Sequence, residues 1–564
     1  MPEHDEMRLS DVCAPVFVGR PPSDAYIGLA RLDTGEIRHY NYGEHPDPRE
    51  PCYIFSRDSG FTWERRMLAE GVIGADQKSP VSGEFIRLRR ARSPDATMVV
   101  RSRGGIDGAW TEKLALSESF VMLKPPVFVR GGRRILVGAH GAGRACMLYS
   151  DDDGDTWKVS APLTVPDHRP GGVHKGARWN HGAAEPTVVE LRDGRIWMLL
   201  RTSLDYLYES YSHDGGETWE PTRPSRFYAT TTMPTIGRLS DGRILLVWNN
   251  CTPLPAPART EEVRLVLGTL RASQDYELAF TSRDAIHAAI SDDDGRTWHG
   301  FREICLDALR NARDFAETGG TDRSVHQSQF VELGEGKVLV ACGQHERHRQ
   351  MLIFDTRWLC EKSRGEDFSH GLKDWCIHMY IAGIRGHCAF NRKEGASLVD
   401  VPDAPAGKAL LIRRPVDRSL ITENEGAVWN FPAGTAGALD LRVMLRPGCG
   451  GARISLIDRW FNPTDLVAHP FAMFNLEIAG DGRVNGKPRV EPGRWHDLRL
   501  EWHGLARPGD DTCSWSVDGV CQEDALPLNR PSVNGISYVH LINTAVAEDA
   551  QGFLVGGVKS AGGH

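Results

Sequence analysis

The chain has 564 residues, a formal net charge of -8, 40% hydrophobic and 25% charged residues. That length exceeds one ordinary hydrophobic core, so two or more domains are expected, and the composition is that of a folded globular protein. No apolar run nears the roughly 18 to 20 residues of a membrane span, and no long basic tract offers the phosphate contacts of a nucleic-acid binder, so neither a membrane nor a nucleic-acid partner is expected.

The N-terminus, MPEHDEMRLSDV, is acidic and lacks the basic-then-apolar order of a secretory signal. A cytoplasmic location is the expectation, or a secreted or periplasmic one if a leader has been cut away. Twelve cysteines, from Cys13 to Cys521, show no C-x-x-C spacing and read as free thiols. Neither a metal centre nor a cofactor is expected.

Along the chain, short strands dominate. LARLDTGEIRHY (Leu29 to Tyr40), VFVRGGRRILVG (Val127 to Gly138), EPTVVELRDGRIWMLLRT (Glu185 to Thr202), MPTIGRLSDGRILLVWNN (Met233 to Asn250) and FVELGEGKVLVACG (Phe330 to Gly343) each read as two strands joined by a tight turn, often Asp-Gly. A hairpin unit that returns every several tens of residues calls for a repeat architecture. Four of these units are followed by Ser-x-Asp-x-Gly-x-Thr-Trp: SRDSGFTW from Ser56, SDDDGDTW from Ser150, SHDGGETW from Ser212 and SDDDGRTW from Ser291. The wide gap before Ser150 leaves room for a further unit with a degenerate turn around Phe85 to Thr111, and a last unit fits between Gln327 and Trp358.

These phrases resemble the Asp boxes, or BNR repeats, of the sialidase (neuraminidase) superfamily. The resemblance implies an all-β chain with a six-bladed β-propeller over residues 1–360, in which the boxes are structural turns remote from the active site. After Trp358 no box occurs, and alternating strands continue to the end. There PGRWHDLRLEW, WSVDG and GISYVHLINTA resemble concanavalin A-like (laminin G-like) jelly-roll domains, which implies a β-sandwich over 361–564 serving either as a stabilising accessory or as a glycan binder.

The same resemblance proposes site residues. Three arginines hold the sugar carboxylate: Arg20 in the phrase Arg-Pro-Pro-Ser, Arg201, which lies one hairpin after the Glu185-Pro186 pair, and Arg283, ahead of the last box. Bidentate guanidinium groups suit a carboxylate. Glu185 assists the opposite face of the sugar. The first-unit loop NYGEHPDPREP offers the general acid, Asp47 ahead of Glu44. Where the superfamily carries a nucleophilic tyrosine, this chain has SVHQSQF, placing His326 and Gln327 there. The tyrosine then comes from elsewhere, such as Tyr206 or Tyr208, or the enzyme inverts with His326 or a carboxylate activating water, or the substrate is not a sialic acid. Trp179 and His181, just before Glu185, are further sugar-contacting candidates. The leading expectation is an exo-acting glycoside hydrolase releasing a terminal, carboxylated sugar from an oligosaccharide or glycoconjugate. A polysaccharide lyase or other glycosidase acting on a uronate/rhamnose-type glycan, and a non-catalytic glycan-binding protein, are the alternatives.

Overall fold

The computed structural model describes residues 7–42, 51–70, 72, 74–75, 77–92, 95–141, 143–167, 182–251, 283–306, 311, 325–344, 348–380, 392–401, 403–404, 406–417, 423–466, 468–505 and 512–563. Within them the chain is all-β, interrupted only by short 3-10 turns.

Six four-stranded antiparallel sheets occupy the first 355 residues. Sheet 1 comprises Leu29–Arg31, Ile37–Tyr40, Cys52–Ser56 and Glu64–Met67; sheet 2 Gln77–Lys78, Phe85–Arg92, Asp95–Arg103 and Ala109–Leu116; sheet 3 Val127–Val129, Arg134–Gly141, Arg144–Ser150 and Lys158–Val159. Sheet 4 comprises Ala184–Glu190, Ile196–Arg201, Tyr206–Ser212 and Arg223–Tyr228, and sheet 5 Thr235–Arg238, Ile244–Trp248, His287–Ser291 and His299–Glu303. Sheet 6 takes Gln329–Gly334, Lys337–Cys342 and Gln350–Asp355 from the end of this region, and its outer strand, Val16–Gly19, from the beginning of the chain, paired Val16 to Ile353 and Phe17 to Leu352.

The second strands read as unbroken apolar runs because neither of their faces is solvated. Every residue of Ile196–Arg201, Ile244–Trp248 and Lys337–Cys342 is buried. The reason is that each sheet packs on both neighbours. Separate apolar clusters join sheets 1 and 2 (Tyr40, Phe55, Phe85), 2 and 3 (Leu88, Val99, Val137), 3 and 4 (Leu136, Met147, Met198), 4 and 5 (Trp197, Phe227, Trp248), and 5 and 6 (Leu245, Val247, Val340). A sixth cluster, with Leu29, Ile37, Leu339 and Ile353, joins sheet 6 back to sheet 1. The sheets therefore form a closed ring.

Each box lies between the third and fourth strands of its sheet. In the second, Ser150 donates to Asp152 (2.8 Å), Gly154 N–H donates to Ser150 Oγ (2.8 Å), and Thr156 donates to Asp152 through both its N–H (2.8 Å) and its hydroxyl (2.6 Å). Trp157 closes the turn by donating to Gly154 O (3.0 Å). The boxes at Ser56, Ser212 and Ser291 repeat the Asp-centred bonds, although the Trp219 indole N–H has no hydrogen-bond partner among the described residues. Partial burial pulls the Asp58, Asp152 and Asp293 carboxyls upward, and the donated hydrogen bonds outweigh it, holding them below the usual carboxylate range. The boxes also tie neighbours together: Arg134 of sheet 3 donates to the carbonyls of Asp214 and Gly215 at 3.1 and 3.2 Å.

From Ser363 onward the chain builds a nine-stranded and a five-stranded antiparallel sheet. The two share one hydrophobic core, to which Leu439, Trp502 and Phe553 come from the larger sheet and Trp429, Leu456 and Leu541 from the smaller. The five-stranded sheet lies against sheet 5. Asn430 accepts from Glu303 N–H (3.0 Å) and donates to Phe301 O (3.0 Å), Tyr538 donates to Glu303 (2.8 Å), and Trp460 packs with Cys251 and Ala285. Arg392 forms an ion pair with Asp284, and both side chains are essentially inaccessible to solvent.

Asp152→Ala removes three accepted hydrogen bonds and is expected to cost about 2 kcal/mol, read as a lower midpoint in urea denaturation. Arg392→Met removes the buried ion pair with Asp284 and is expected to lower stability in the same assay by about 3 kcal/mol.

Candidate active site

In an antiparallel four-stranded sheet the start of the first strand and the end of the second share an edge, and the turn between the third and fourth strands lies at the opposite edge. Glu185 and Arg201 therefore sit at the edge away from the Asp boxes. So do Thr235, which begins sheet 5, Gln329, which begins sheet 6, and Arg283, which precedes the third strand of sheet 5.

Arg201 Nη1 donates to Glu185 Oε1 at 2.7 Å, with both side chains buried. The local backbone explains how the carboxylate is aimed. Glu185 has φ of 48°, and the pairing register shifts between Ala184 and Thr187, so a bulge turns this residue out of the regular alternation. Gln327 is the second residue here in the left-handed region, with φ of 56°. A side chain in that region costs about 1 to 3 kcal/mol and persists where surrounding structure enforces it. Gln327 is buried, and its Oε1 has no hydrogen-bond partner among the described residues.

Arg283 is fully buried; its guanidinium donates to Thr231 O (2.7 Å) and contacts His326 Nε2 at 3.0 Å. Arginine has only donors, so Nε2 is the acceptor and the proton of a neutral imidazole rests on Nδ1. The contact holds His326 as a neutral ring facing Arg283. Gly343 links this pair to the segment ahead of the first sheet: its N–H donates to His326 O (2.7 Å) and its carbonyl accepts from Ala25 N–H (3.3 Å). With φ of 101°, and with Arg349 Cα and His348 O pressed against the place a Cβ would occupy, only glycine fits.

Four groups absent from the motifs above, Lys124, Arg349, Asp24 and His140, lie at this edge. Lys124, 7% exposed, donates to Thr235 Oγ1 (2.5 Å) and Ser328 O (2.8 Å), and it feels the charge of Glu185. Burial with neutral hydrogen-bond partners pushes its amine down to about 7, against the opposing pull of Glu185. Arg349, buried, donates to Pro22 O (2.8 Å) and Gln344 O (2.9 Å) and lies 3.8 Å from the buried carboxylate of Asp24. His140 sits near Glu185 and Arg201, its pKa lowered chiefly by burial, with Glu185 pulling the other way and Arg201 adding to the fall. No motif marks Lys124, Asp24 or Arg349; each is one charged residue in a short loop or at a strand end. The single available signal was a charged residue beside the Arg-Pro-Pro-Ser phrase, and it points to Asp24 alone.

Of the residues expected from the sequence, Glu185 pairs with Arg201, and Arg283 with His326, next to Gln327. Arg20 is set apart. It is exposed, lies over the Phe17 ring (5.3 Å to the centroid) and donates to Arg349 O at 3.1 Å. It follows the outermost strand of sheet 6, which carries it away from the inner strands, and the buried arginine of that region is Arg349. Tyr208 packs between sheets 3 and 4 with Leu136, Met147 and Met198, and burial raises its pKa. Tyr206 packs against Tyr228 with the rings tilted (4.7 Å between centroids). Tyr26, unremarked in the sequence, packs with Leu123, the neighbour of Lys124, and Met233. Glu44, Asp47, Trp179 and His181 lie outside the described residues. No cluster of three or more His, Cys, Asp or Glu suited to a metal ion occurs among the described residues.

Residues 90–304 match the family model of the BNR repeat-like domain. A sialidase from Micromonospora viridifaciens is 26% identical over 263 residues, covering 44% of this chain and 35% of that protein. An anhydrosialidase from Macrobdella decora is 34% identical over 104 residues, 18% of this chain and 12% of its own length. The chain thus spans about a third or less of these relatives. Among solved structures, Trypanosoma rangeli sialidase aligns over 96% of this chain and 92% of its own with a TM-score of 0.35 and 12% identity. A protein of unknown function from Dyadobacter fermentans aligns over 61% of this chain and 97% of its own with a TM-score of 0.39 and 18% identity.

The low Lys124 pKa has a signed consequence for stability. Between about 7 and the ordinary value of 10.5 the unfolded chain binds the proton more tightly than the folded one, so this group's contribution is most favourable above 10.5 and is lost as pH falls to 7. Lys124→Met removes the dependence. Its urea midpoint is expected to exceed that of the wild type most at neutral pH, the difference shrinking as pH rises toward about 9.5.

Proposed function

We propose that this chain is a sialidase-like glycoside hydrolase that releases a terminal, carboxylated sugar from a glycan. In this reading the closed ring of six sheets is a six-bladed propeller spanning residues 1–360, and residues 361–564 are a concanavalin-like sandwich packed on its fifth blade. The observation that carries the reading is the charge at the edge opposite the Asp boxes. Arg201, Arg283, Arg349 and the ionisable Lys124 are buried there, and the described carboxylates among them are Glu185 and Asp24. Guanidinium groups gathered at one edge offer the bidentate donors that suit a carboxylate ligand. The BNR repeat-like match and the similarity to a sialidase and an anhydrosialidase support the same reading.

In this mechanism Arg201 and Arg283 hold the carboxylate, with Arg349 in the part that the sequence reading gave to Arg20. Glu185, oriented by Arg201, faces the positive charge that develops at the anomeric centre. Asp47, with Glu44 as the alternative, protonates the leaving oxygen. His326 orients Arg283 at rest, and it exchanges a proton at Nε2 only when that nitrogen leaves the guanidinium. Gln327 Oε1 accepts from a hydroxyl or amide of the sugar, and Trp179 and His181 border the same pocket. The Arg283–His326 contact also suits an elimination, in which Arg283 neutralises a uronate carboxylate and a released His326 takes the neighbouring proton, so a lyase is the second reading.

Turnover of a panel of terminal acidic glycosides, with product stereochemistry followed by NMR, tests these readings. Release of the free acidic sugar is the expected result; an unsaturated uronate product favours the lyase, and binding without turnover of any member sinks both. Arg201→Met is expected to lower kcat/KM by about 100-fold or more, with thermal unfolding checked so that loss of fold is not mistaken for loss of the clamp.

A further inference from the structure

The Arg283–His326 pair is held by more than its own contact. The carbonyl of Arg283 accepts from Val325 N–H (3.0 Å), and Asn249, which follows the second strand of sheet 5, donates from Nδ2 to the carbonyls of Ala285 (2.7 Å) and Val325 (3.3 Å). Residues 283–285 and 325–326 are thus stitched into one frame. C-terminal segments grip that frame at two points. At the first, Arg392 forms its ion pair with Asp284 through Nη2, while Nη1 of the same guanidinium contacts His378 Nδ1 at 3.0 Å. His378 and Arg392 lie on paired strands, His378–Tyr380 and Arg392–Glu394. At the second, Trp460 N–H donates to Asn250 O (2.9 Å), and Asn250 Nδ2 donates to Asp458 O (3.0 Å). The two grips meet, since the His378 ring stacks on Trp460 (6.2 Å between centroids). Arg392, His378, Asp284, Asn249 and Asn250 are all buried.

We propose that Arg392 is a positioning residue of the candidate site: by holding Asp284 it sets the direction in which Arg283 presents its guanidinium to a carboxylate. The inference rests on the carboxylated-sugar reading above and extends the framework of the site to the C-terminal segments. Arg283 and Asp284 are neighbours in the chain, so a tether on one constrains the backbone of both. A shift of about 1 Å in a group that binds substrate can cost about 100-fold in rate, even when the change lies away from the chemistry. A forked guanidinium suits this task. One arm takes the Asp284 carboxylate and the other the His378 imidazole, which fixes its plane as a single-point cation could not. The part played by Arg392 is indirect, through Asp284 and Arg283.

The test compares kcat/KM of the full chain for methylumbelliferyl N-acetylneuraminide with that for its carboxamide, which offers no anion to Arg283. Loss of fold lowers both values together and leaves their ratio unchanged, whereas a misdirected Arg283 lowers the ratio. Arg392→Met is expected to reduce the preference for the acid by about 10- to 100-fold. The double variant Asp284→Asn/Arg392→Met, which strands no buried charge, is expected to do the same. Arg392→Lys, which keeps a cation beside Asp284, is expected to recover part of the loss. Tyr538→Phe removes the hydroxyl that bonds Glu303 and His287 at the same interface, and is expected to lower the urea midpoint with the preference intact. A preference unchanged in the double variant overturns the role of Arg392 and leaves the carboxylated-sugar reading standing. A fall in Tyr538→Phe equal to that in Arg392→Met also overturns it, assigning the effect to general loosening of the interface. A wild type with no preference for the acid sinks the carboxylated-sugar reading and this proposal with it.

Discussion

Closure of the ring is the constraint on which everything else depends. Sheet 6 is completed by Val16–Gly19, so the first strand of the chain and the last strand of this region hold each other. The seam is sealed twice more: the Gln329 side chain accepts from Leu29 N–H (2.9 Å) and donates to Leu29 O (2.8 Å), and Leu29, Ile37, Leu339 and Ile353 share an apolar cluster. With the ring closed, each sheet packs between two others, and charged residues distant in sequence come together, as Arg283 does with His326. Without it, each sheet would expose two apolar faces of its buried second strand.

The price of that arrangement is electrostatic. Arg283, Arg349 and Lys124 are withdrawn from water along with the Arg201–Glu185 pair, and each finds a different compensation. Arg201 has a carboxylate at 2.7 Å, Arg283 has a carbonyl and an imidazole, Arg349 has two carbonyls and a more distant Asp24, and Lys124 has a hydroxyl and a carbonyl. Guanidinium keeps its proton under any of these conditions and an amine does not, so among these cations Lys124 is the one able to change charge. Backbone strain at Glu185 and Gln327 clusters at the same edge, where the surrounding sheets can enforce it.

The smaller C-terminal sheet packs against sheet 5 through Asn430 and Tyr538. Other C-terminal segments add Trp460 and the Arg392–Asp284 pair, with Asp284 next to Arg283. Fixing Asp284 fixes the direction in which the chain presents Arg283. A β-rich appendage thus has a structural connection to the site whether or not it also touches a glycan.

What the sequence determined by itself was whatever is encoded locally. The hairpins and Asp boxes are short-range devices: Asp152 bonds residues within four positions of itself, and an Asp-Gly turn such as Asp193-Gly194 needs only a glycine at positive φ, here 86°. Six hairpin units could therefore be counted, and six four-stranded sheets occur. Glu185 and Arg201 were legible for the same reason, since one hairpin carries both to one edge. Tertiary structure alone decided which distant residues meet there. Arg20 follows an outermost strand and so stays at the rim, a position fixed by the closing strand and invisible in the phrase Arg-Pro-Pro-Ser. Tyr208 turned into the packing between sheets 3 and 4, because its side of the strand faces a neighbouring sheet. Lys124, Asp24 and Arg349 carry no pattern; ring closure placed Lys124 near Glu185, and Arg349 with Asp24 beside Gly343, whose N–H donates to His326 O.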